Sequence, residues 1–309
     1  MRHAQGCSCS GIVDLTLFLT WTIESKRILL TGGNCGIGKA AAEELCRRGA
    51  EVVITVRSEA KGEEAVASIR EGVPGAEVSW RLLDLGRRDS IEACATGVLA
   101  DFDRLDVLVH NAGLVLSSRR ELEGGVEATF GINHLGPFLL TRRLEPLMRE
   151  SAPARVVVVA SAAHKRVPGL DFDDLQATRG YSTRRAYCAS KLANVLFTRE
   201  LARRFEGSGV TANSLHPGVV ATRFARDGDA PGAFGLFFAL FGWALLSPEE
   251  GARTTVHLAA APELEGTSGE YFARCRPAPT SRAGADDEAA RRLWEESERL
   301  LGLGESPRT

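Results

Sequence analysis

Tyr187 and Lys191 stand four residues apart in Tyr187-Cys188-Ala189-Ser190-Lys191, inside a stretch, Arg185 to Phe205, that reads as a long helix. On a helix this spacing puts both side chains on one face, a turn apart. The chemistry it offers is proton transfer. A free tyrosine, with a pKa of about 10, is a poor acid or base at neutral pH. A nearby ammonium favours the phenolate and brings that pKa toward the working range. By itself the spacing is weak, because an ordinary helical pair has the same form.

A second run, Thr31-Gly32-Gly33-Asn34-Cys35-Gly36-Ile37-Gly38, joins an apolar strand to a helix. Glycines at such a junction allow a tight turn and a close backbone approach to a pyrophosphate, which then rests on the helix N-terminus. The spacing is G-x3-G-x-G and not G-x-G-x-x-G, so a plain Gly-rich turn has to be weighed against a phosphate cradle. Dehydrogenases that select NAD usually carry an acidic residue at the end of the second strand, where it holds the ribose 2′-OH. Here that end is Thr55-Val56-Arg57-Ser58, without a carboxylate. Arg57 can make charge-assisted contacts with a 2′-phosphate, which favours NADP(H), although a solvated arginine would also fit the position.

These residues need a scaffold that alternates strands and helices. Strands are predicted at Arg27 to Thr31, Glu51 to Val56, Val78 to Leu83, Leu105 to Val109, Arg155 to Ala160 and Val210 to His216. Helices are predicted at Lys39 to Arg48, Glu59 to Glu71, Ser90 to Leu99, Gly124 to Met148 (perturbed by Pro137 and Pro146) and Arg185 to Phe205. Continuous apolar strands between helices imply an α/β fold, a single doubly wound Rossmann domain with a parallel sheet of about seven strands and helices on both faces. The domain is expected over 25–303, after an atypical N-terminal extension, 1–24, and before a polar tail, 304–309.

Composition sets the outer bounds. The chain has 309 residues, 25% charged and 44% hydrophobic, with a net charge of −2. No footprint for nucleic acid follows from that balance. Seven cysteines are present, without CxxC or Cys/His zinc spacing, so no metal site is expected and a reduced compartment fits. Ile12 to Ile23 is apolar-leaning but short and interrupted by Asp14, too little to span a bilayer. Ala233 to Leu246 is a second uncharged run, better suited to a buried or interfacial helix.

TGGNCGIG, Asp84-Leu85, Asn111-Ala112-Gly113, Asn133, Ser161, YCASK and HPG follow one another in the order of the short-chain dehydrogenase/reductase family, which the chain resembles from about Lys26 to Leu301. GINHLGPFLLT, AYCASKLANVLFTRELARRFEGSGVTANSLHPGVVATRF and SPEEGARTTVHLAAAPELEGTSGEYFARC resemble the retinol dehydrogenases within it. The resemblance implies a hydride transfer between NADP(H) and a carbonyl or alcohol carbon. It implies Tyr187 as acid/base, Lys191 lowering the tyrosine pKa and holding the nicotinamide ribose, and Ser161 clamping the substrate oxygen. Asn133 would steady a water that links Lys191 to solvent. It further implies Asp84 and Leu85 at the adenine, Asn111 to Gly113 beside the adenosine ribose, and Pro217, Gly218, Val219 and Thr222 closing on the nicotinamide.

Three departures stand out. His110 replaces the family's usual Asn before Asn111, Cys35 replaces a small polar residue, and residues 1–24 lack the usual hydrophobic anchor. His110, His134, His164 and His216 adjoin motifs whose chemistry is already assigned, so structural or solvated roles are expected for them. Between Thr222 and Ser247, where the family carries its substrate lid, six aromatics (Phe224, Phe234, Phe237, Phe238, Phe241 and Trp243) suit a small apolar carbonyl or alcohol substrate such as retinal, a fatty aldehyde or a steroid. The same run suits peripheral membrane contact through 233–246 or a homodimer contact. A cytoplasmic location, or the cytosolic face of an intracellular membrane, is expected. The alternative to an enzyme is a catalytically silent NADP(H)-binding sensor or scaffold on the same fold.

Overall fold

A computed structural model describes residues 21–218 and 246–303. In chain order the elements are strand Arg27–Thr31 (β1), helix Gly36–Arg47 (α1), Glu51–Val56 (β2), Glu59–Gly72 (α2), Val78–Leu82 (β3), Arg88–Asp101 (α3) and Val107–His110 (β4). Then come helix Gly136–Glu150 (α4), Ala154–Val159 (β5), Thr183–Arg204 (α5), Val210–His216 (β6), Pro248–Ala260 (α6), Tyr271–Ala273 (β7), Arg276–Pro277 (β8) and Asp287–Leu300 (α7).

The strands form one sheet in the order β3-β2-β1-β4-β5-β6-β7-β8. Pairing is parallel from β3 to β7 and antiparallel between β7 and β8. Every residue of β4 and β5 is buried, as a sheet covered on both faces requires. Leu45 of α1, Ile69 of α2 and Val256 of α6 belong to the core on one face. Val98 of α3, Phe138 of α4 and Phe197 of α5 belong to the core on the other. The chain order reverses its direction across the sheet between β1 and β4. At such a switch point the strand ends leave a crevice for a ligand.

Strands β1, β2 and β6 have the predicted bounds. Elsewhere the ends move for identifiable reasons. α1 starts at Gly36, three residues before the predicted Lys39, because the last turn of the glycine loop is already helical. β4 begins at Val107, since Leu105 gives its N–H to the Ser151 hydroxyl. The predicted helix 124–148 is divided into one α-turn, Ala128–Phe130, a wider π-turn, Gly131–Leu135, and α4. Pro137 stands in the first turn of α4, where its missing N–H costs nothing. The sheet has eight strands against about seven expected; the extra one, β8, is a two-residue edge pair whose Pro277 suits an edge.

Trp21 and Ile23, on the extension side of the expected boundary at 25, are buried in the core. The Trp21 indole N–H donates to the Ala259 carbonyl (3.0 Å), and the Arg155 guanidinium lies 3.9 Å from the indole centroid. Arg155 itself donates to the Leu258 carbonyl (3.1 Å), and burial lowers its pKa to about 10. Together they satisfy the carbonyls that the last turn of α6 leaves open. Residues 1–20 of the extension, the tail 304–309 and nearly all of the apolar run 233–246 lie outside the described residues. Among the described residues no helix is long and apolar enough to cross a membrane. Truncating a buried aromatic of this size costs about 3–5 kcal/mol. Trp21→Ala is therefore expected to lower the unfolding free energy by that amount in denaturant titration, and a loss under about 1 kcal/mol would remove residues 21–24 from the folded domain.

Candidate active site

The loop between β1 and α1 is shaped by backbone constraints. Gly32 and Gly36 have φ of 71° and 56°, in the left-handed region that glycine adopts without strain. A methyl group at Gly38 would collide with the Gly32 carbonyl oxygen, so the start of α1 can fold back on β1 only with glycine there. Cys35, the exposed residue that precedes α1, makes no capping bond through its side chain, and the first turn of α1 holds no acid. Its first N–H groups are therefore left without a capping side chain, an arrangement suited to an anion.

Thr31, a residue the sequence reading passed over, stitches this loop to the end of β4. Its hydroxyl accepts the N–H groups of Asn111 (3.0 Å) and Ala112 (3.1 Å) and donates to the Val109 carbonyl. The Asn111 side chain returns two bonds, to the carbonyls of Thr31 (2.9 Å) and Gly32 (3.1 Å). A threonine ending a buried strand was the only signal of this in the sequence.

The residues expected at the adenosine follow β2 and β3. Arg57 follows β2 directly, is exposed, and has no ion-pair or hydrogen-bond partner among the described residues. Asp84 accepts the Gly86 N–H (2.9 Å), which fixes its carboxylate, and the neighbouring Leu85 is buried.

Ser161 lies two residues beyond β5 and caps a short 3-10 turn, Ala162–Arg166, by accepting the Ala163 N–H (3.1 Å). Tyr187, half-buried near the start of α5, is hydrogen-bonded to the Ser161 side chain. One turn on, the buried Lys191 donates its ammonium to the carbonyl of Val159, the last residue of β5 (2.9 Å). Its Nζ lies 5.9 Å from the Tyr187 ring centroid. Asn133, in the π-turn before α4, exchanges two hydrogen bonds with the Leu114 backbone (2.8 and 2.9 Å) and donates to Ser190 Oγ (3.0 Å). A methyl group at Gly113 would sit 3.3 Å from both Asn133 Oδ1 and Lys191 Nζ, so the glycine keeps that space open.

The electrostatics correct one expectation. Tyr187 was expected to have its pKa drawn down by Lys191. Instead burial raises it, and the hydrogen bond from Ser161 opposes the rise only in part. Burial also lowers the Lys191 pKa, to about 8, which weakens its hold on the charge that would have acted on the phenol. The phenol thus keeps its proton at neutral pH.

Pro217 and Gly218 directly follow β6, the strand paired with β5, while Val219 and Thr222 lie outside the described residues. His110 and His134 are buried and held neutral, each with a pKa near 3; they bond Thr141 and Ser297, which settles a structural role over a solvated one. The five described cysteines are free. A cavity of about 850 Å³ opens on another flank of α5, at Ala186, Cys188 and Ala189, and includes none of Ser161, Tyr187, Lys191 or Asn133.

Residues 26–231 match the short chain dehydrogenase family. Human retinol dehydrogenase 14 is 43% identical over 295 residues, covering 91% of this chain and 88% of that protein. Human retinol dehydrogenase 13 is 44% identical, covering 91% and 86%. Among solved structures, an uncharacterized protein from Mycobacterium paratuberculosis superposes with a TM-score of 0.73 at 32% identity, covering 92% of this chain and 96% of that one. The Pseudomonas aeruginosa RhlG/NADP active-site complex gives 0.66 at 25% identity, covering 82% and 96%. The chain belongs to the short-chain dehydrogenase/reductase family, oxidoreductases that act on alcohol and carbonyl groups with a nicotinamide cofactor. Within it, the chain is retinol dehydrogenase-like.

The enclosed lysine yields a stability test. With a folded pKa of about 8 against an ordinary 10.5, the unfolded chain holds more protons between those values, so stability rises with pH across that window. At pH 7 the buried charge costs up to about 3 kcal/mol. Without nucleotide, Lys191→Met should gain stability at pH 7 and lose the rise between about pH 8 and 10.5. Parallel stability curves for the two proteins would show that Lys191 carries no such penalty.

Proposed function

We propose that this protein is an NADP(H)-dependent oxidoreductase that interconverts an apolar aldehyde or ketone and its alcohol, of the retinal, fatty-aldehyde or steroid kind. The observation that carries the reading is the Ser161–Tyr187 hydrogen bond beside the exit of β5, with Lys191 buried one turn further along α5. No metal or third acid is needed for a proton transfer arranged in this way.

The residues present fit a nicotinamide dinucleotide. The left-handed glycines and the uncapped start of α1 suit the pyrophosphate, Gly32 to Gly38 lining it. Asp84 and Leu85 suit the adenine, Asn111, Ala112 and Gly113 the adjoining ribose, and Pro217 and Gly218 the nicotinamide. When bound, the cofactor supplies or accepts the hydride. During reduction Tyr187 gives its hydroxyl proton to the carbonyl oxygen, a direction that suits a phenol holding its proton at pH 7. Ser161 donates to the same oxygen as negative charge develops there. Lys191 holds the nicotinamide ribose and returns a proton toward Tyr187. Asn133, fixed by Leu114 and Ser190, orients the water through which Lys191 is resupplied.

Arg57 carries the choice of NADP(H): a guanidinium without a partner among the described residues stands just after β2, where a 2′-phosphate would arrive. The NADP complex of the P. aeruginosa structure agrees with it. The names of the retinol dehydrogenase relatives and the aromatic run after Thr222 support an apolar substrate.

Two experiments follow. Tyr187→Phe should reduce turnover of retinal with NADPH by about 10²- to 10⁴-fold while leaving NADPH binding nearly intact. A variant that keeps more than about a tenth of the wild-type kcat would exclude Tyr187 as the acid. For the cofactor, a lost charge-assisted contact is worth about 1.5–3 kcal/mol. Arg57→Asp should then weaken NADPH binding about ten- to a hundredfold in titration and spare NADH. An unchanged NADPH/NADH ratio would remove Arg57 from the site.

A further inference from the structure

His164 lies three residues after Ser161 on the same 3-10 turn, and its ring is fully buried. Its hydrogen bonds settle the tautomer. The Ser281 backbone N–H donates to Nε2 (3.3 Å), so Nε2 carries no proton. Nδ1 therefore bears the hydrogen and donates it to the Ser161 carbonyl oxygen at 2.7 Å. The His164 backbone N–H donates to the same carbonyl (3.1 Å). One residue thus supplies both hydrogen bonds that hold the Ser161 carbonyl.

The ring also packs edge-on against Tyr271, centroids 4.8 Å apart. Burial raises the Tyr271 pKa, and its hydroxyl is hydrogen-bonded to His216 Nδ1 (2.7 Å). His216 stacks on Tyr271 at 5.6 Å and directly precedes Pro217-Gly218. Three rings in contact therefore connect the exit of β5, where Ser161 stands, with the exit of β6.

We propose that His164 is the positioning residue that sets Ser161 in the reacting site, acting through the Ser161 carbonyl and braced by Ser281 and Tyr271. This rests on the reading of Ser161 given above. It gives His164 no contact with substrate and no share in proton transfer. Its effect is geometric, and displacements of about 1 Å at a reacting group can cost about a hundredfold in rate.

The substitutions divide the two bonds of the ring. His164→Phe keeps the volume and removes both. His164→Asn keeps an amide N–H where Nδ1 donates to Ser161, and His164→Gln keeps only an acceptor toward Ser281. With retinal and NADPH, H164F should lose about 10- to 100-fold in kcat with NADPH affinity within about twofold of wild type. H164N should recover most of that loss, although its Tm stays below wild type, and H164Q should not. In a Ser161→Ala background H164F should cost nothing more, because its effect passes through Ser161. Should H164F fail to fold, H164N and H164Q still decide the matter. The proposal is overturned if kcat tracks Tm across the three variants, or if H164F costs as much in S161A as in wild type. A Ser161→Ala protein with wild-type kcat would instead sink the role given to Ser161 itself.

Discussion

The Lys191 ammonium on the Val159 carbonyl, at 2.9 Å, is the interaction on which the rest of the site depends. It joins the middle of α5 to the last residue of β5, and so sets the distance between the helix that carries Tyr187 and the strand end that carries Ser161. A buried lysine with one carbonyl partner is a costly arrangement, and burial shifts its pKa accordingly. What makes it tolerable is the shell around it. Gly113 leaves space beside the Nζ, and Asn133 is held by the Leu114 backbone and Ser190. The Ser190 hydroxyl in turn donates to the Tyr187 carbonyl, which returns the network to α5.

The sheet brings these groups together because parallel strands release their C-terminal ends along one edge. Thr31 and Asn111 sew the ends of β1 and β4 together, which places the glycine loop beside the Asn111–Gly113 turn. Farther from the edge, α7 packs on α4 and α5: Trp294 meets Phe138 edge-on at 4.7 Å, and Ser297 bonds the buried His134. That contact holds the π-turn in which Asn133 stands. The C-terminal helix thus supports the site from a distance without contributing a side chain to it.

Much of this was legible in the sequence. Apolar runs such as Arg27–Thr31 and Glu51–Val56 gave their strands to the residue, because a parallel strand buried on both faces reads as a near-continuous apolar run. The order of the glycine loop, Asn111, Ser161 and the Tyr187/Lys191 pair gave the family. Three-dimensional enclosure was not legible. Spacing placed Lys191 near Tyr187, but it could not say that Lys191 is buried and Tyr187 half-buried, nor that this enclosure raises the phenol where an ammonium was expected to lower it. His164 was expected to be structural or solvated, and what it holds was not legible for the same reason, since its partners Ser281 and Tyr271 are more than a hundred residues away in sequence. The short β7 and β8 carry too few residues for a periodic signal, and Trp21 joins the core through partners distant in sequence, Arg155 and Ala259.

The central claim is a hydride transfer with Tyr187 as the acid, and isotope transfer tests it most directly. Incubation with retinal and NADPH deuterated at the transferable C4 position should yield retinol with one deuterium on the carbinol carbon, detected by mass spectrometry. That outcome requires the nucleotide and an aldehyde to meet at this site with a proton supplied to oxygen. Tight NADPH binding with no deuterium in any of retinal, fatty-aldehyde or steroid products would contradict the account and leave a nucleotide-binding protein without catalysis.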